Sequence, residues 1–307
     1  MITTKLYGRL GNQMFQIANC IAHAVRHQQP YSIPRETTHP DKWPVYFTHF
    51  PPLTIRFVDF GMQWEQAHGY SPIPRREQIC FDGYWQSYKY FADVLQIVLD
   101  SFAPAFNFPA LDGIDFTGNV SIHIRRGDYV QLSTIHPPIS LQYVKDAVAY
   151  FVNLGYGHFT IFSDDIPWCK ANVTTSIFSQ VQGEVFLRYM DTTVKDPVQD
   201  ALFDMAAMAR HEHNIISNST FSLWAALLNK NPNKIVVTPA LSNWFGPAYQ
   251  HLDVTDLLPP TWVQMPANKQ QITANEQQGM DFWCFMHQLC GERCQAPCGS
   301  DGKCEII

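Results

Sequence analysis

The central part of this chain is predicted to be a parallel, doubly wound α/β sheet. From Val120 onward, short β-branched or aromatic runs alternate with segments of helical period. Three of those runs end in clusters of polar residues, at Arg125-Arg126-Gly127, Ser163-Asp164-Asp165 and Ser217-Asn218-Ser219-Thr220. A further strand, turn and helix unit opens the chain, with glycines at positions 8 and 11.

The elements follow in order. Ile2 to Tyr7 reads as a strand, and after the turn Met14, Ile17, Ala18, Ile21, Ala22 and Val25 recur at helical spacing. Residues 30–80 carry Pro30, Pro34, Pro40, Pro44, Pro51, Pro52, Pro72 and Pro74, which limits regular helix and predicts long surface loops. The segment FDGYWQSYKYF at 81–91 leads into an apolar-periodic stretch ending near Phe102, and Pro104 to Gly118 reads as a linker. Then come strands at 120–124, 159–163, 185–189, 214–217 and 234–238, with helices at about 140–154, 197–210 and 221–229. Asp196, Pro197 and Gln199 supply the N-cap, first-position proline and capping-box residue of the 197–210 helix.

With 307 residues, 46% hydrophobic and 16% charged, the chain can bury a large core. A net charge of -6 excludes a nucleic-acid surface of the usual kind, which rests on an excess of Lys and Arg. No charged n-region followed by an apolar stretch opens the chain, and no uncharged apolar window approaches about eighteen residues. A cytoplasmic protein without a membrane anchor is the expectation. Cys20, Cys80 and Cys169 are scattered, whereas Cys284, Cys290, Cys294, Cys298 and Cys304 crowd the tail. The tail spacing departs from the paired knuckles of zinc sites, so reduced or oxidised thiols and a structural zinc both stay open there.

All three polar clusters lie at carboxyl ends of predicted strands, the edge at which open parallel sheets bind ligands. The last cluster also opens a helix, where free N–H groups and small hydroxyls suit a phosphate. Alternation places Ser121, His123 and Arg125 on one face of their strand and Ile122, Ile124 and Arg126 on the other. His123 and Arg125 therefore share a pocket, and Arg126 joins it only if the chain has already left the strand. A guanidinium offers a permanent charge and bidentate donors to a departing diphosphate. A structural ion pair from one arginine to Asp128 is the alternative.

Four blocks then carry a family resemblance: GRLGNQMFQ at 8–16, GYWQSYKYF at 83–91, HIRRGDY at 123–129 and HNIISNSTFSLWAALL at 213–228. With FSDDIPWCK and Asn243-Trp244-Phe245, they resemble the bacterial and animal alpha-1,2-fucosyltransferases of glycosyltransferase family 11, in family order as far as about residue 245. The resemblance implies a GT-B-like fold of two Rossmann-type domains. Their boundaries would give an acceptor-side region at 1–115, a GDP-sugar-binding region at 116–247, and an extension at 248–307.

The implied activity is inverting, metal-independent transfer of L-fucose from GDP-fucose to the 2-hydroxyl of a terminal galactose. Acceptors of that class are lactose, related oligosaccharides or a polysaccharide repeat unit. By the same resemblance, Arg125 contacts the β-phosphate and His123 the nucleoside, with Arg126, Ser217 and Asn218 beside them. Ser219, Thr220, Phe221 and Gly11 line the donor edge, and Asn12 orients groups at the reaction centre. Asp204 reads the guanine edge; Asp200, one turn earlier, is the other candidate.

Asp128 is the best-placed base, or else it braces the RRG loop through backbone N–H groups. A dissociative route without a base would place the catalytic burden on Arg125 and Asn12. The adjacent pair Asp164-Asp165 lacks the Asp-x-Asp spacing of a metal clamp and reads as a helix cap. His211 and His213 read as packed or capping groups, and position 211 departs from the Cys usual in the family. Tyr84, Trp85 and Tyr88 either stack on acceptor sugars or pack in the core. Two other classes remain: a transferase for another nucleotide sugar or a protein acceptor, and a non-catalytic carbohydrate-binding protein.

Overall fold

Two all-parallel sheets organise the chain. The computed structural model describes residues 1–38, 43–191 and 196–267, so the cysteine-rich tail lies outside the described residues. The described residues belong to the compact unit Met1–Lys269. Among them, no helix is long and apolar enough to cross a membrane.

The first sheet contains β1 (Ile2–Thr4), β2 (Gly61–Trp64) and β3 (Ile79–Asp82), in the order β1-β3-β2. Its helix α1 (Leu10–His27) buries an unbroken run from Gln13 to Ala24 and ends with basic Arg26 and His27, which suit a helix C-terminus. β1 is shorter than the sequence suggests. Tyr7 N–H leaves the ladder to bond the Gln16 side chain at 3.0 Å, and Gly8 follows at a φ of 66°. Both β2 and β3 fall in or beside the stretch read as loop. Four-residue strands, one of them half-exposed Gly-Met-Gln-Trp, give no period to detect.

The second sheet contains β4 (Asn119–Ile124), β5 (His158–Ser163), β6 (Phe186–Tyr189), β7 (His213–Ile215), β8 (Val236–Pro239) and β9 (Val263–Met265). Their order, β6-β5-β4-β7-β8-β9, is the doubly wound pattern in which the chain reverses direction between its first and fourth strands. The reversal leaves a crevice at the carboxyl ends of β4 and β7. Helices α4 (Leu141–Asn153), α5 (Ile166–Asn172), α6 (Pro197–Arg210) and α7 (Thr220–Leu228) make the crossovers. Ser140 caps α4, Asp165 caps α5, and Asp196 caps α6 through the Val198 and Gln199 amides, as read for the latter two from the sequence. Two further helices, α2 (Leu95–Phe102) and α3 (Gly127–Gln131), complete the described set of α-helices; α3 starts where the RRG turn leaves β4.

α7 is apolar almost all round, with Leu223 to Leu227 buried, and it packs against both α6 and α1. The contact with α1 is close at its N-terminal end. A Cβ on Gly11 would lie 2.6 Å from the Thr220 carbonyl carbon and 2.7 Å from the Phe221 nitrogen. Only glycine fits there. Gly11→Ala is therefore expected to cost about 1–3 kcal/mol through overpacking, read as a lower urea midpoint at unchanged m-value.

Candidate active site

The crevice between β4 and β7 holds the first pair. His123, near the end of β4, shares a 2.8 Å hydrogen bond with Ser217 Oγ just beyond β7, and its ring lies 5.2 Å from that of Phe221. Ser121, two residues earlier, accepts a bond from Asn214 at 2.7 Å, so the face predicted by alternation is the face turned toward β7. Burial, with Arg125 nearby, lowers the His123 pKa to about 3, which keeps the ring neutral.

Arg125 continues that face into the turn. Its guanidinium is held by Asp128 at 2.5 Å and Asp164 at 2.8 Å, and it lies 5.4 Å from the Tyr129 ring centre. The ion pair to Asp128 thus forms on Arg125. Asp164, rather than Asp128, braces the RRG turn, accepting the Arg126 backbone N–H at 2.8 Å. Arg126 turns away: it stacks 3.6 Å over Trp168 and pairs with Asp165 at 3.2 Å. The structure therefore places Arg126 in support of the turn and Arg125 in the crevice.

The α7 N-terminus closes the third side. Ser219 caps it by accepting the Phe221 N–H, Tyr129 donates to the Asn218 carbonyl at 3.2 Å, and Asn218 Nδ2 bonds Pro137 and Trp244 carbonyls. Asn12 arrives from α1. Its Oδ1 accepts from Thr220 Oγ1 at 3.1 Å and from Gln86 Nε2 at 2.9 Å. With the oxygen filled twice, the Asn12 NH₂ is the part available to a substrate. Gly11 and Asn12 therefore do join the 217–221 turn, across more than two hundred residues of chain.

One cation here was missed from sequence. Arg9 stacks 4.3 Å over Trp43 and reaches within 3.7 Å of Asp128, so a single carboxylate faces guanidinium groups from both sheets' turns. Its place in the GRLGNQ block was the signal available. The N-terminus of α1 carries no side-chain cap and no acidic residue in its first turn. Two helix N-termini and two arginines make the locus strongly attractive to an anion.

Asp204 lies half-buried in the middle of α6 and is itself engaged, while Asp200, in the first turn, keeps one buried oxygen without a partner among the described residues. Trp85 is 1% exposed and belongs to the core, and Tyr88 packs partly buried against it; Tyr84, 42% exposed, is the aromatic of the three that faces out. His211 donates to the Ala207 carbonyl and His213 accepts the Ile235 N–H, so both are structural. Among the described residues no group of three His, Cys, Asp or Glu is arranged to hold a metal ion.

The family model for glycosyl transferase family 11 matches residues 58–264. This chain belongs to that family. It is 29% identical over 304 residues to an Escherichia coli alpha-1,2-colitosyltransferase, covering 86% of this chain and 99% of the relative. It is 28% identical over 254 residues to the galactoside alpha-(1,2)-fucosyltransferase 2 of Gorilla gorilla gorilla, covering 74% and 69%. Solved structures similar to it include an Arabidopsis thaliana FUT1 mutant in complex with GDP, at 12% identity, TM-score 0.45 and coverage of 84% and 74%. NodZ alpha-1,6-fucosyltransferase soaked with GDP-fucose matches at 14% identity, TM-score 0.38 and coverage of 79% and 96%. The family 11 chain is thus a glycosyltransferase with its polar signature blocks gathered at one crevice.

Burial also sets the acid response of this transferase. His123 is held near a pKa of 3, and His136 and His211 near 4, against 6.5 when exposed. The unfolded chain binds more protons than the fold between those values, so stability falls as pH drops below about 6.5. Urea midpoints are expected to decrease from pH 7 to pH 5, and His123→Asn to flatten that decrease; an unchanged slope would place the proton uptake elsewhere.

Proposed function

We propose that this family 11 chain transfers L-fucose from GDP-fucose, with inversion, to the 2-hydroxyl of a terminal galactose on an oligosaccharide. The observation that carries the reading is the convergence of Arg125, the capped start of α7 and the Asn12 amide on one crevice. A diphosphate leaving group needs positive potential where charge builds on its bridging oxygen, and these groups supply it from fixed positions.

For Arg125 to meet the β-phosphate, one of its two carboxylates must yield. Asp164 is also tied to the Arg126 N–H, whereas Asp128 holds only side-chain pairs and is 39% exposed, so Asp128 is the one that swings. Released toward the cleft, it is the base for the acceptor hydroxyl. Ser219, Thr220 and Phe221 serve the phosphates, His123 and Ser217 the nucleoside side, and Asp204 the guanine edge. Gly11 allows the approach that brings Asn12 to the centre. Arginines and helix N-termini take the charge-neutralising role, so turnover should proceed in EDTA.

The relative named for alpha-1,2-colitosyl transfer supports a second donor, GDP-colitose, at the same site. Incubation with GDP-fucose and lactose in EDTA, with NMR of the product, decides the first reading: an α-1,2-linked trisaccharide is expected. Preference for GDP-colitose in direct competition would move the donor assignment, and absence of binding to either would end it. Arg125→Lys is expected to lower kcat by about 10²–10³-fold. Asp128→Asn should lower it by about 10²–10⁴-fold through loss of the base, and an essentially unchanged kcat would overturn that role.

A further inference from the structure

Glu65, one residue beyond β2, lies outside every block that the function uses, yet it reaches the site through a continuous chain of contacts. Its two carboxylate oxygens accept the Tyr84 N–H at 2.7 Å and the Trp85 N–H at 2.9 Å. Gly83 presses against it: a Cβ there would sit 2.5 Å from Glu65 Cβ, and the residue has a φ of 150°. Trp85 follows with a φ of 56°, left-handed for a bulky side chain locked in the core. The next residue, Gln86, hands its Nε2–H to Asn12, which holds Thr220. Such a backbone persists only when its surroundings over-determine it, and here the Glu65 carboxylate and the Trp85 pocket do so.

We propose that Glu65 is a positioning residue for transfer, its ionised carboxylate clamping the Gly83–Gln86 turn so that Gln86 fixes the Asn12 amide at the α7 N-terminus. The proposal rests on the transferase reading above. Both oxygens are needed as acceptors, so protonating one weakens one half of the clamp.

The clamp is tuned to a useful range. Burial, opposed by the two backbone bonds, raises the Glu65 pKa to about 7. The groups facing it are Tyr90, whose pKa it helps raise, and Asp82 on β3, whose carbonyl takes the Glu65 N–H at 2.9 Å and whose carboxylate is held by Lys5 and Tyr7. Because the folded value exceeds the ordinary 4.5, stability from this group falls as pH rises from 4.5 to 7, while the clamp tightens over the upper part of the same window. The Glu65 contribution to stability therefore runs opposite to activity, and opposite to that of the buried histidines, which a purely structural role would not produce.

The test combines kinetics with NMR on the full chain. Wild type should gain kcat as pH rises through about 7; E65Q should lack that limb and sit about tenfold lower in kcat at pH 8, with KM for GDP-fucose within about twofold. Independently of turnover, the Tyr84 and Trp85 amide signals of wild type should titrate near pH 7 together with the side-chain NH₂ signals of Gln86 and Asn12. Still Gln86 and Asn12 signals, or E65Q with the wild-type limb and kcat, would overturn the clamp. A wild type without GDP-fucose turnover would remove the GDP-fucose reading, and the NMR titration, which needs no variant, then decides the clamp alone.

Discussion

The contact of Gly11 with Thr220 and Phe221 is the constraint on which the site depends. It joins the first turn of α1 to the first turn of α7 at backbone distance. Two helix N-termini in contact are electrostatically unfavourable in isolation, since both present unpaired N–H groups and partial positive charge. α7 cannot retreat, because it is buried on nearly every side. The locus is compensated by polar groups: Ser219 as cap, Asn12 as bridge, and carboxylates from the β4 and β5 turns.

Those carboxylates explain how a cluster of cations stays ordered. Asp164 serves Arg125 and the turn backbone together, and Asp128 spans Arg125 and Arg9. In the proposed reaction a diphosphate takes the place of the more exposed of the two, Asp128, so that substrate charge stands where protein charge stood. On that proposal the same exchange frees a carboxylate to act as base on the acceptor, linking leaving-group stabilisation to proton removal through one side chain.

Legibility in the sequence followed the range of the interactions. Alternation over six residues of β4 was enough to pair His123 with Arg125 and to set Arg126 on the other face, because the period of a strand is a local property. The Asp196 and Asp165 caps were likewise local and were read correctly. β2 and β3 escaped because four residues carry no resolvable period, and the pairing of β3 with β1 and with β2 joins residues distant in the chain, Ile2 with Ile79 and Gly61 with Ile79. Trp85 and Tyr84, neighbours in one motif, went opposite ways because the left-handed backbone at Trp85 turns one ring into the core and leaves the other at the surface.

By itself the sequence determined the α/β class, the carboxyl-edge placement of its polar clusters and the family to which the blocks belong, because each is written in short-range spacing. Tertiary structure alone decided that Asp164 braces the turn, that Trp168 and Asp165 hold Arg126, that Arg9 reaches Asp128, and that Glu65 takes the Tyr84 and Trp85 amides. Those outcomes arise where segments distant in the chain meet and compete for the same hydrogen-bond donors and charges, a competition with no local signature.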